Sequence, residues 1–163
     1  MQRLEIIQSK IVDNDTLQPH LARIRFKQKK IVFTNGCFDI IHKGHIDYLA
    51  KASDMADFMI LGLNTDKSVK RLKGDSRPVQ DEKSRALILA SLSFIDFVVP
   101  FDEDTPYNLI TLVQPDVLVK GADYRIEDIV GFDILKAKNG EIKTLDLLEG
   151  YSTSSIIKKI KKS

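Results

Sequence analysis

The sequence predicts an α/β domain: a doubly wound sheet of five parallel strands with flanking helices, preceded by an N-terminal helix. Three observations predict it. Short runs rich in β-branched and apolar residues recur along the chain, most of them nearly continuous, as strands covered on both faces require. Stretches with apolar residues at helical spacing fill the gaps between them. Capping residues and breakers mark the junctions.

Leu17, Leu21 and Ile24 stand at i, i+4 and i+7 and predict a helix packed on the domain. Residues 1–28 therefore read as a helical extension, and 29–163 as the core of one single domain. Strands are predicted over 31–34, 58–63, 97–100, 117–119 and 141–145, with Pro100 at a strand end because it cannot donate to a ladder. A helix opens near Gly44 and carries Ile46, Leu49, Ala50 and Ser53 on one face. Residues 81–92 place Leu87, Leu89, Ala90 and Leu92 at roughly helical spacing. Thr105 reads as an N-cap with Pro106 in the first helical position, and Pro115 stops that helix. Asn139-Gly140 ends another helix, and a last one starts around Ser154 and runs through Ile156, Ile157 and Ile160. The alternation argues for a Rossmann-like parallel sheet with right-handed crossovers. In such a sheet ligands lie beyond the carboxyl ends of the strands, here the loops after Thr34, Leu63, Phe101, Lys120 and Leu145.

Composition narrows the class. With 163 residues, 43% hydrophobic and 29% charged, the chain is an ordinary globular domain in size and content. A formal charge of +2 gives no sign of a nucleic-acid partner, and the basic runs at 23–30 and 158–162 read as solvated surface. The single cysteine, Cys37, excludes an intramolecular disulfide. No window approaches the roughly 18 apolar residues of a membrane span, and residues 1–5 carry no long apolar stretch, so a cytoplasmic protein without a membrane partner is expected.

The loop after the first strand carries the chemistry. It reads NGCFDIIHKGH over residues 35–45. Gly36 permits close approach of a ligand to the turn. Gly44 opens a helix whose N-terminal amides favour phosphate. His42 and His45, three apart, can project from the same side of that turn. Two imidazoles beside a helix mouth suit stabilisation of charge growing at a phosphorus atom, and an attacking phosphate needs no covalent help. A zinc site is disfavoured, because no third histidine or second cysteine lies near in sequence.

The run Gly36-Cys37-Phe38-Asp39, followed by His42-Lys43-Gly44-His45, resembles the HxGH nucleotidyltransferase superfamily. Three further segments, KRLKGDSRPV at 70–79, VKGADY at 119–124 and GYSTS at 150–154, are similar to the adenylyltransferase domain of the bacterial heptose kinase/adenylyltransferases. The resemblance runs from about Ile31 to Ile160. It implies that ATP and D-glycero-β-D-manno-heptose 1-phosphate give ADP-heptose and pyrophosphate with Mg²⁺ assisting, in lipopolysaccharide inner-core synthesis. The nearest alternative is a cytidylyltransferase acting on glycerol 3-phosphate or a related alcohol phosphate. Small enzymes of this kind often pair, so a homodimer is compatible.

The resemblance also assigns residues. His42 and His45 stabilise the transferring group, and Lys73 is the candidate for a mobile cation meeting the phosphates. Thr34, Asn35, Gly36, Cys37, Phe38 and Gly44 lie against the nucleotide, with Asp123 at its base or ribose. Ser152, Thr153 and Ser154 supply hydroxyls at a helix N-terminus, which is also their physical reading. Asp39 either orients the motif or touches substrate. Arg77 and Arg85 face either phosphate or a carboxylate such as Glu82, and Lys120 completes the weaker substrate contacts. No protein-held metal site is assigned. Three departures are read: these 163 residues resemble a freestanding adenylyltransferase without the kinase domain of those relatives, Lys43 replaces a commoner small residue, and Ala122 replaces a second glycine.

Overall fold

A computed structural model of the chain describes residues 2–122 and 125–162. Five strands, β1 (Ile31–Gly36), β2 (Phe58–Asn64), β3 (Phe97–Phe101), β4 (Val117–Gly121) and β5 (Glu141–Leu145), form one parallel sheet in the order β3-β2-β1-β4-β5. The expected Rossmann-like α/β architecture is the one observed. From β1 the chain winds outward through β2 and β3, then returns to β4 on the other side of β1. The switch in strand order therefore falls between β1 and β4, where a crevice opens at the carboxyl ends.

The helices are α1 (Arg3–Gln8), α2 (Asn14–Phe26), α3 (Lys43–Ser53), α4 (Asp66–Lys73), α5 (Glu82–Ala90), α6 (Tyr107–Val113), α7 (Phe132–Ala137) and α8 (Thr153–Lys162). Alternation along the strands sends successive side chains to opposite faces. Phe33, Ile60, Val99 and Leu118 meet α2, α6 and α7 on one face. Val32, Met59, Leu61, Val98 and Val119 meet α3 and α5 on the other. Leu17, Leu21 and Ile24 of α2 are buried in the first of these clusters, so the extension packs as its spacing predicts.

Some details differ from the sequence expectation. The extension contains two helices, and between them Ile11 bridges Val98 in parallel, with Val12 N–H donating to the Val98 carbonyl at 3.0 Å. This segment covers the outer edge of β3, where a bare strand edge would invite pairing with another chain. Pro106, not Thr105, occupies the N-cap position of α6, with φ −78° and ψ 18°. His20 is half-buried with its ring 4.6 Å from that of Phe97. No helix among the described residues is long and apolar enough to cross a membrane.

Candidate active site

One cleft of about 900 Å³ opens at the carboxyl end of the sheet, and the loops after all five strands contribute to its wall. His42 is the N-cap of α3: its Nδ1 accepts from the His45 backbone N–H at 3.4 Å. That bond fixes the tautomer, because a neutral imidazole accepting at Nδ1 carries its proton on Nε2. The His45 ring stacks on it with centroids 3.8 Å apart and planes inclined by 20°. Phe38, with a left-handed φ of 45°, turns its ring edge-on to His45 at 5.3 Å. Both histidines line the cleft.

Burial sets their charge. It pushes the His45 pKa down to about 4, with the neighbouring His42 and the Lys73 ammonium acting in the same direction and the Ile40 backbone opposing. Burial also lowers His42. The pair is thus neutral at pH 7, and the Nδ1 atom of His45 is buried without a partner among the described residues.

The two glycines have specific steric reasons. A Cβ on Gly44 would stand 3.1 Å from the His42 ring and 3.2 Å from Tyr151 Cβ, so only glycine lets that ring lie across the helix mouth. A Cβ on Gly36 would meet the Phe38 ring at 3.0 Å. The space expected to admit a ligand at Gly36 is therefore taken by Phe38, although Gly36 itself still lines the cleft.

Asn35, Cys37, Phe38, Gly44, Lys73, Lys120, Ser152, Thr153 and Ser154 also line the cleft. Lys120 Nζ donates to Asn35 Oδ1, tying β4 to β1 at the switch point. Ser152 accepts the Ser155 backbone N–H at 3.1 Å and so caps α8 as well as facing the cleft. Asp123 lies outside the described residues.

Thr34 departs from its assignment, and Arg85 and Asp39 follow the internal one of their two expected readings. Thr34 is fully buried, its hydroxyl bonded to Tyr48 Oη at 2.8 Å and the Val119 carbonyl at 2.9 Å, so its side chain braces β1 and does not face a ligand. Arg85 is also fully buried and outside the cleft. Its guanidinium donates to the carbonyls of Cys37 (2.6 Å), Asn64 (2.9 Å) and Gln80 (3.1 Å) and pairs with Asp66 at 2.7 Å, not with Glu82. Asp39 borders the cleft but is spent internally, accepting Arg77 Nε at 2.5 Å and the backbone amides of Val79 and Gln80 at 2.8 and 3.0 Å. Arg77 is correspondingly committed to Asp39. Lys43 is exposed, with its ammonium 5.5 Å from the Tyr151 ring centre.

Sequence reasoning missed several lining residues, among them Tyr48, Asn64, Leu72, Leu147 and Tyr151. Tyr48 follows His45 by three on the same helix face, and Asn64 ends β2, so spacing alone could have found both. The other three had no such marker.

The family model described as cytidylyltransferase-like matches residues 33–159. The chain belongs to the cytidylyltransferase-like family. The bifunctional protein HldE of Campylobacter concisus is 57% identical over 134 residues, which are 82% of this chain and 28% of that protein. HldE of Wolinella succinogenes is 50% identical over 96% of the chain and 32% of its own length, and HldE of Helicobacter pylori 54% over 90% and 31%. The chain thus spans less than a third of these curated relatives. Two crystal structures share the fold. One is the lipopolysaccharide core biosynthesis protein of Thermoplasma volcanium, with a TM-score of 0.60 and 24% identity over 74% of this chain and 99% of that one. The other is the pantoate-beta-alanine ligase of Francisella tularensis, with a TM-score of 0.63 and 18% identity over 94% and 78%.

Proposed function

We propose that this member of the cytidylyltransferase-like family is an adenylyltransferase that joins D-glycero-β-D-manno-heptose 1-phosphate to the AMP part of ATP. The products are ADP-heptose, a precursor of the lipopolysaccharide inner core, and pyrophosphate. One observation carries the reaction type: two stacked, neutral imidazoles at the mouth of α3 share a cleft with the mouth of α8. The choice of sugar and nucleotide is supported by the motif resemblance and by the likeness to HldE at 50–57% identity.

In this reading an oxygen of the sugar phosphate attacks the α-phosphorus of ATP in line. The new P–O bond forms as the bond from the α-phosphorus to the bridging oxygen breaks, and pyrophosphate leaves with that electron pair. No proton must be removed, because the nucleophile is already an anion. His42 donates from Nε2 to the charge gathering on the transferring group, with His45 as a second donor. Each preorganised donor of this kind contributes about 10²–10³ in rate. Lys73 supplies a cation to the leaving phosphates. The amides and hydroxyls at Ser152–Ser154 cradle phosphate oxygens at the helix N-terminus.

Mg²⁺, if it assists, would arrive on the triphosphate, since it is commonly held by substrate phosphates plus one or two carboxylates. The described residues contain no group of three His, Cys, Asp or Glu fit to hold a metal ion, and Asp39 and Asp104 are already paired with arginines. No step above is routed through the ion.

A panel of nucleotides and sugar phosphates scored by pyrophosphate release tests the assignment. ATP with heptose 1-phosphate should give the highest kcat/KM. Turnover of CTP with glycerol 3-phosphate, and none with the heptose pair, would replace this reading with an alcohol-phosphate cytidylyltransferase.

A further inference from the structure

Every residue from 70 to 76 is exposed, yet Lys73 in their midst lines the cleft. Its own side chain makes no hydrogen bond or ion pair with the described residues. Gly74, which follows, has φ +90° and nothing near the place a Cβ would take, so packing does not hold the segment either. Two arginines bracket it. Downstream, Arg77 is fixed to buried Asp39. Upstream, Arg71 reaches across to the loop after β3. Its Nε donates to Asp104 Oδ1 at 2.9 Å, its Nη2 to the Asp102 carbonyl, and its Nη1 lies 3.6 Å from Asp102 Oδ1. Asp102 in turn accepts from the hydroxyl of Thr65, the N-cap of α4. Both ends of α4 are therefore fastened to one loop, and Asp104 and Thr105 of that loop line the cleft wall.

Resting on the reading of the cleft as a nucleotidyl-transfer site, we propose that Arg71 is a positioning residue, the latch that holds Lys73 where the leaving phosphates develop charge. Arg71 touches no substrate in this account and acts through Lys73 alone. A guanidinium suits the task because its fork engages a carboxylate and a carbonyl at once, which an ammonium cannot do in fixed geometry. The ion pairs are solvent-exposed, so the effect is modest.

The test is a double-mutant cycle with a substrate-free control. Arg71→Ala should lower kcat about five- to tenfold, leave KM within about twofold, and add nothing further in a Lys73→Ala background. In the ligand-free protein, the same variant should speed hydrogen exchange of the Leu72, Lys73 and Gly74 amides several-fold, by about the factor that loss of local anchoring implies. An equal loss of kcat from Arg71→Ala in both backgrounds, or wild-type kinetics with unchanged exchange, overturns the latch. If Lys73→Ala leaves too little turnover to measure, the exchange rates decide. A wild-type protein that turns over no substrate, with exchange still quickened in the variant, would sink the function and leave the latch standing.

Discussion

His45 is held neutral by burial, and that has a sign. Its folded pKa of about 4 lies below the ordinary 6.5, so the unfolded chain takes up the proton first as pH falls. The stability associated with the neutral ring is fully present above about pH 6.5 and drains away towards pH 4. Urea midpoints should decline across that window, and His45→Ala should flatten the part of the decline due to this residue. Triphosphate oxygens beside the ring favour its charged form. A non-hydrolysable ATP analogue should therefore move the His45 titration upward from about 4 in an NMR experiment on the ring protons. Gly44 offers a second test at this scale. Alanine there is the better helix former by about 1 kcal/mol, yet its Cβ would press on the His42 ring and on Tyr151 at 3.1–3.2 Å. Gly44→Ala should leave the thermal midpoint within a few degrees of wild type and lower kcat about tenfold or more. Normal turnover would mean that the position of the His42 ring is not critical.

Among the elements, Arg85 matters most, because one buried guanidinium joins the loop after β1, the end of β2, the start of α4 and the turn before α5. Replacing it by methionine strands three carbonyls and a carboxylate. A buried acceptor left without its donor costs about 1–3 kcal/mol, while the Asp66 carboxylate, 38% exposed, keeps its water, so chemical denaturation should show a loss of a few kcal/mol. A loss under about 1 kcal/mol would mean that water satisfies these groups. The same residue marks where sequence reading stopped. Its partners at Cys37 and Asn64 lie 48 and 21 residues away and are backbone carbonyls, which leave no mark in sequence. Thr34 is similar, because its hydroxyl answers a carbonyl 85 residues away. The histidine motif was legible for the opposite reason: N-cap, glycine and both rings lie within four consecutive residues, so local geometry decides their arrangement. The strands were legible because a sheet covered on both faces demands unbroken apolar runs. The extra helix α1 was not, having no buried residue to impose a periodicity.

For the molecule as a whole, the sheet order brings five loops to one rim, and the N-terminal extension supports the face beneath. Leu17, Leu21 and Ile24 are 0–4% exposed, and burying each such side chain contributes about 1.5–3 kcal/mol. Removing residues 1–28 forfeits a sum comparable to the whole stability of a domain this size. That deletion should yield protein without a cooperative thermal transition, whereas a folded, active remainder would make the extension dispensable. Whether the two imidazoles at the mouth of α3 stabilise the transition state and not the bound substrate is read from His45→Ala, with single-turnover kcat measured alongside the Kd for ATP. The variant should lose about 10²–10³ in kcat with Kd changed by no more than about threefold; equal losses in both would mean that His45 serves ground-state binding alone.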